Sequence, residues 1–127
     1  MTSRQVNKPR DMKKFIASLL HAIRGIRVGV MEHRNLKVQV GVAFATLIAG
    51  FFLDVSNLEW CLILLCIGLV ISLELVNSAI EGLVDLVAPE WQPLAGKVKD
   101  LAAGSVLFFS LISLCVGIIL FRKYLLV

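Results

Sequence analysis

From Leu101 to Phe121 the chain runs 21 residues without a charged side chain. At about 1.5 Å of rise per residue, such a run forms a helix of about 30 Å, the thickness of a bilayer's hydrocarbon core. Two more stretches invite the same reading. One runs from Leu36 to Leu53, interrupted only by Lys37 and Gln39 near its start, and the other starts at Trp60 and stays apolar to Leu73 before acids appear. In lipid every backbone polar group needs an internal partner, so these segments are helices. With 58% hydrophobic residues and a mean hydropathy of +0.87 over 127 residues, the composition agrees with a single all-α integral membrane domain. The expected membrane helices cover 36–53, 60–86 and 98–121.

Ahead of the spans, Met12, Phe15, Ile16, Leu19, Leu20, Ile23, Ile26 and Val30 recur at helical spacing, with Lys14, His21 and Arg24 on the other side. A basic helix with one greasy face lies in the headgroup layer, so residues 12–33 are expected as an N-terminal amphipathic surface helix. Nine of the 13 Lys and Arg residues lie before Val38, ahead of the first span or at its very start: Arg4, Lys8, Arg10, Lys13, Lys14, Arg24, Arg27, Arg34 and Lys37. The positive-inside tendency keeps that end in the cytoplasm, and three spans then carry the C-terminus outside, with Arg122 and Lys123. This charged start has no place for a cleavable signal peptide.

The net charge of +4 marks no nucleic-acid partner, because the basic residues lead into a membrane and only Phe15 among aromatics lies with them. Anionic headgroups suit them better. Cys61, Cys66 and Cys115 sit inside apolar runs without CxxC spacing and read as small hydrophobes. Asp54 to Asn57 reads as a polar turn. Pro89 and Pro93 interrupt helix after Leu86.

Function is concentrated in Glu74-Leu75-Val76-Asn77-Ser78-Ala79-Ile80-Glu81-Gly82-Leu83-Val84-Asp85. At about 100° per residue, Glu74, Asn77, Glu81 and Asp85 share an arc of roughly 80° on one helix face. A carboxylate inside a membrane costs at least about 2.5 kcal/mol on insertion scales, so two in one span need a compensating role. Helix-to-helix adhesion would account for Asn77 and Ser78, and less well for two acids seven residues apart. A proton pathway would need polar groups across the whole bilayer. With Trp60 at the outer interface the acids occupy only the inner half, Glu74 about 16 Å along the helix from Asp85. Phosphoryl transfer to a lipid fits that placement, needing a metal, a base and a cation at one membrane face, with Lys97, Lys99 and Asp100 just after the loop. No GxxxxGK[ST] or kinase Gly-rich loop is present to name a nucleotide.

The stretch ELVNSAIEGLVD resembles the ExxNxxIExxVD signature of the prokaryotic diacylglycerol and undecaprenol kinases, and Val98-Lys99-Asp100 resembles their later AKD. The likeness runs from about Lys14 to Phe121. It implies a multi-pass lipid kinase of the bacterial cytoplasmic membrane, a homotrimer of three-span protomers with active sites shared between neighbours, using ATP and Mg2+. Carried over residue by residue, Glu74 is the general base toward the lipid hydroxyl and Asn77 positions the reacting groups. Glu81 binds Mg2+ and belongs with Asp85, Lys99 and Asp100 to the nucleotide site. Lys14, His21, Glu90 and Gly96 fall where some members approach the nucleotide.

In one place the chain departs from that pattern. A second metal-binding glutamate of the family falls on His33, while Glu32 stands one residue early, about 100° away on a continuous helix. Glu32 completing the site by a local shift is the favoured expectation, with His33 as rival ligand. Nitrogen suits zinc or manganese better than magnesium. His21-Ala22-Ile23-Arg24-Gly25-Ile26, Arg34-Asn35, Leu58-Glu59-Trp60 and Gln92-Pro93-Leu94-Ala95 resemble the undecaprenol branch. Ser78 and Gln39 pull away from it. The expected reaction is phosphorylation of a membrane lipid hydroxyl, undecaprenol favoured. Diacylglycerol as acceptor, yielding phosphatidic acid, and a non-catalytic oligomeric membrane protein are the alternatives.

Overall fold

The computed structural model describes residues 8–125, which form four helices; Arg4 of the basic leader lies outside the described residues. The first helix, α1 (Lys8–Glu32), starts four residues before the apolar periodicity does. Lys and Arg are good helix formers and extend it on the N-terminal side. Its Met12, Phe15, Leu19 and Ile23 are all exposed. At these four positions the greasy face is left uncovered by the rest of the chain.

α1 meets the rest of the fold at Gly29. A Cβ at that position would stand 2.6 Å from Leu75 Cδ2 and 3.1 Å from Leu36 Cδ2, so any larger residue there requires the leucine side chains to shift. Leu36, at 0% exposure, is the most deeply buried side chain. One non-helical residue, His33, then separates α1 from α2 (Arg34–Phe52). The ladder nearly continues across it, because His33 N–H donates to Gly29 O at 3.0 Å and Lys37 N–H to His33 O at 3.2 Å.

The turn after α2 carries Asp54 at φ 50, a left-handed conformation that aspartate tolerates better than most residues. Ser56 then caps α3 (Asn57–Val87) in a capping box. Its hydroxyl accepts from Glu59 N–H at 3.4 Å, and Glu59 Oε2 accepts from Ser56 N–H at 2.8 Å. α3 therefore begins before Trp60. Its 31 residues make a rod of about 46 Å, well beyond the hydrocarbon thickness. The acidic end of α3 thus reaches toward the membrane surface. The helix stops at Val87, and Pro89 follows in the break before α4 (Pro93–Leu125). Pro93 opens that helix, since the first position of a helix needs no N–H from it. Lys97, Lys99 and Asp100 accordingly lie on helix.

Three helices, α2, α3 and α4, are long and apolar enough to cross a membrane, and α1 is non-spanning. α3 is the hub, packing on each of the others. Between α2, α3 and α4 lies a groove of about 640 Å³ whose lining includes Val38, Gln39, Thr46, Ile67, Ser113 and Phe121. At the end of the bundle away from the acids, Val55, Ile63 and Leu120 form a small core with Trp60 and Tyr124 packed against it. Gly50 makes room for Trp60, whose Cη2 would stand 3.1 Å from a Cβ there. Beside this core Tyr124 donates to Glu59 Oε2 at 2.8 Å and Lys123 pairs with Glu59 Oε1 at 2.5 Å. The start of α3 is thereby tied to the end of α4.

Candidate active site

The polar stripe of α3 passes from buried to exposed along one face. Glu74 is 3% exposed and Asn77 is 5% exposed. Glu81 is half-buried and Asp85 exposed. Helical periodicity puts the four residues on one face, and the neighbouring helices cover its Glu74 end more fully than its Asp85 end.

Each member has a partner of its own. Gln39 of α2 donates its Nε2 to Glu74 Oε2 at 3.1 Å. Asn77 Nδ2 donates to Glu81 Oε1 at 3.0 Å. Lys99, on the first turns of α4, forms an ion pair with Asp85. The side chains of Lys99 and Asp85 are 35% and 67% exposed. An open pair like this contributes little to stability and yields its cation readily to a stronger anion such as phosphate.

Among the described residues, Gln39 Oε1, Asn77 Oδ1, Ser78 Oγ and, on α4, Ser113 Oγ are buried without a hydrogen-bond partner, the first on the partner of Glu74 and the next two on the turn of α3 that follows it. Buried polar atoms are almost always satisfied, and exceptions concentrate where a ligand completes the site. A carboxylate this enclosed, met by one neutral amide, is an expensive arrangement for helix adhesion alone.

Glu74, Asn77, Glu81 and Asp85 are thus brought onto one face with Lys99 opposite. Asp100 is exposed beside Lys99, and no side-chain hydrogen bond joins it to the stripe. Glu90 is exposed in the 88–92 break, and Gly96 is exposed on the first turn of α4. Lys14 and His21 are exposed on α1, not joined to the acids by any hydrogen bond or ion pair. Glu32 ends α1 as an exposed residue, and His33 is half-buried at the break. Among the described residues no three His, Cys, Asp or Glu side chains are grouped closely enough to hold a metal unaided. Gln39 is the residue whose contact sequence reasoning missed. Its signal was an amide inside an otherwise apolar span.

The site is thus set in an α-helical domain with three helices fit to cross a membrane, its acids passing from buried to exposed beside a lysine. The chain belongs to the prokaryotic diacylglycerol kinase family, whose pattern matches residues 20–121. It is 42% identical over 111 residues to the undecaprenol kinase of Bacillus subtilis, covering 87% of this chain and 90% of that protein. It is 30% identical over 119 residues to a diacylglycerol kinase of Helicobacter pylori, covering 94% and 90%. With the Escherichia coli K12 diacylglycerol kinase it shares 28% identity over 114 residues, covering 90% and 93%. The protein is a membrane lipid kinase.

Proposed function

We propose that this kinase transfers the γ-phosphoryl group of ATP to the primary hydroxyl of undecaprenol at the cytoplasmic face of the membrane. The observation that carries the site assignment is the buried Glu74 carboxylate, which accepts from Gln39 and shares one face of α3 with Asn77, Glu81 and the Asp85 that pairs with Lys99. The 42% identity to an undecaprenol kinase favours that acceptor. Diacylglycerol remains the alternative acceptor, named by the relatives at 28 to 30% identity.

In the reaction the lipid hydroxyl oxygen attacks the γ-phosphorus and its proton passes to Glu74. The bond from the γ-phosphorus to the β,γ-bridging oxygen breaks, and ADP departs. Lys99 leaves Asp85 to meet the phosphates, supplying the positive charge that the transferred group needs. Glu81 offers hard oxygen beside the unsatisfied Asn77 Oδ1, a donor set that suits Mg2+, which binds through one or two carboxylates plus substrate phosphates. When bound, that ion would neutralise charge on the phosphates. Asn77 keeps the Glu81 carboxylate turned toward it. Glu32 at the end of α1 is the proposed second carboxylate, His33 its rival. Asp100, Lys14, His21, Glu90 and Gly96 are proposed as the outer rim of the nucleotide site.

The remaining family expectations belong to the same reading: a homotrimer with composite sites, the N-terminus and α1 in the cytoplasm, and the C-terminus outside. The broad apolar exposure on α2 and α4 leaves ample surface for neighbouring protomers and lipid.

The test is radiolabelled phosphate transfer from ATP in mixed micelles, offering undecaprenol and diacylglycerol side by side. Undecaprenol should be the better acceptor, and Glu74→Gln should abolish transfer to it while ATP binding and assembly persist. A preference for diacylglycerol overturns the substrate. More than a few per cent activity in Glu74→Gln overturns the base.

A further inference from the structure

We infer that Gln39 is a positioning residue for the reaction, holding one oxygen of the Glu74 carboxylate so that the other is presented to the lipid hydroxyl. The inference deepens the proposed function and rests on Glu74 as base.

Gln39 lies five residues past the start of α2 and reaches across to the middle of α3. An ionised carboxylate only accepts hydrogen bonds, so the amide must present its nitrogen to Glu74. Nε2 lies 3.1 Å from Oε2, and no other side chain among the described residues donates to that carboxylate. One oxygen is thereby engaged and Oε1 is left for substrate. The choice of an amide matters chemically. A lysine or arginine here would hold the carboxylate in an ion pair and blunt it as a base, whereas a neutral donor orients it and leaves its charge uncompensated.

A purely structural role fits poorly. The other end of the same amide, Oε1, is buried and unpartnered. Leaving a buried acceptor unsatisfied is unfavourable, and an apolar side chain of the same length would remove that burden. The burden is accepted because methionine here would leave the buried Glu74 carboxylate without a side-chain donor. Keeping the amide makes sense when its N–H acts on Glu74. Gln39 also lines the groove between α2, α3 and α4, so it stands between that groove and the carboxylate.

The test uses the full-length enzyme in mixed micelles. Gln39→Met keeps length and volume and removes the donor. The expected result is a kcat for lipid phosphorylation about tenfold lower, the loss of one hydrogen bond to a charged group. The KM for ATP should stay within about twofold, and the melting temperature should fall modestly because the buried Glu74 carboxylate loses its side-chain donor. Gln39→His, which restores an N–H donor, should stay within about threefold of the parent kcat. In a Glu74→Asp background, adding Gln39→Met should cost no more than about a further twofold, because its effect runs through the carboxylate geometry already lost. A kcat within twofold of the parent in Gln39→Met overturns the inference. So does a loss that comes with a KM for ATP raised in proportion, or a histidine variant as impaired as the methionine one. Failure of the underlying reading looks different: there Glu74→Gln itself retains activity. An inactive Glu74→Gln beside a fully active Gln39→Met removes Gln39 alone.

Discussion

Replacing Asn77 by leucine isolates the contact that orients Glu81. The two side chains have the same branched shape and heavy-atom count, leucine's methyl groups being bulkier than the amide, and Asn77 is 5% exposed in a site already enclosed by protein. What disappears is the 3.0 Å hydrogen bond from Nδ2 to Glu81 Oε1. A hydrogen bond to a charged acceptor is worth about 1.5–3 kcal/mol. At about 1.4 kcal/mol per factor of ten, that corresponds to roughly a 10- to 100-fold weaker hold on the ion. The same range is found when the residue supporting a metal ligand is removed. Fold stability should move by less than about 1 kcal/mol, because the unpartnered Oδ1 disappears with the amide and offsets the lost bond. The assay is the initial rate of phosphate transfer to lipid at fixed ATP across a magnesium titration, with thermal unfolding followed in the same detergent. The activation midpoint should shift upward by at least tenfold while the melting temperature barely moves. A midpoint within twofold of the parent, in a variant that melts normally, would refute the pairing of Asn77 with a metal-binding Glu81.

At the α1–α2 break, Glu32→Ala should collapse activity and His33→Ala should be mild, magnesium remaining the preferred ion; reversed sensitivities with a preference for zinc or manganese would make His33 the ligand. At the α1–α3 contact, Gly29→Leu must displace Leu75 or the fully buried Leu36, a clash costing about 1–3 kcal/mol. A lowered melting temperature should result, largely recovered by adding Leu75→Ala, and an unchanged melting temperature for Gly29→Leu alone would show that α1 does not need this close approach.

The spans and the acidic stripe were legible because both depend on local periodicity: uncharged runs of bilayer length, and four polar residues recurring at helical spacing. Helix ends were less legible. An apolar run marks the thickness of lipid, whereas a helix continues until its backbone is capped or broken, so α4 begins at Pro93 and runs past Arg122 to Leu125. The Ser56-x-x-Glu59 capping box was present in sequence and was absorbed into a reading of Asp54–Asn57 as a polar turn. Contacts between distant residues were hidden altogether. Gln39 and Glu74 are 35 residues apart, Tyr124 and Glu59 are 65 apart, and no local pattern sets the register between two helices. The choice between Glu32 and His33 escaped for another reason. A rotation of about 100° per residue presumes one unbroken helix, and the backbone leaves the helical region at His33, with φ −97 and ψ 119.

The hairpin of α3 and α4 is fastened at both extremities, by Glu59 with Lys123 and Tyr124 at one and by Asp85 with Lys99 at the other. Twenty-six residues separate Glu59 from Asp85, a span of about 39 Å along the helix. Joined at points so far apart, the two rods share one register in this structure, and the Glu59 cluster, with two partners, is the firmer of the two ties. In the proposed reaction Lys99 turns from Asp85 toward phosphate while the far tie is untouched, so the movement falls to the lysine's own flexible stem rather than to the helix that carries it. On that proposal the catalytic end exchanges an internal anion for a substrate's without sending a piston stroke through the membrane.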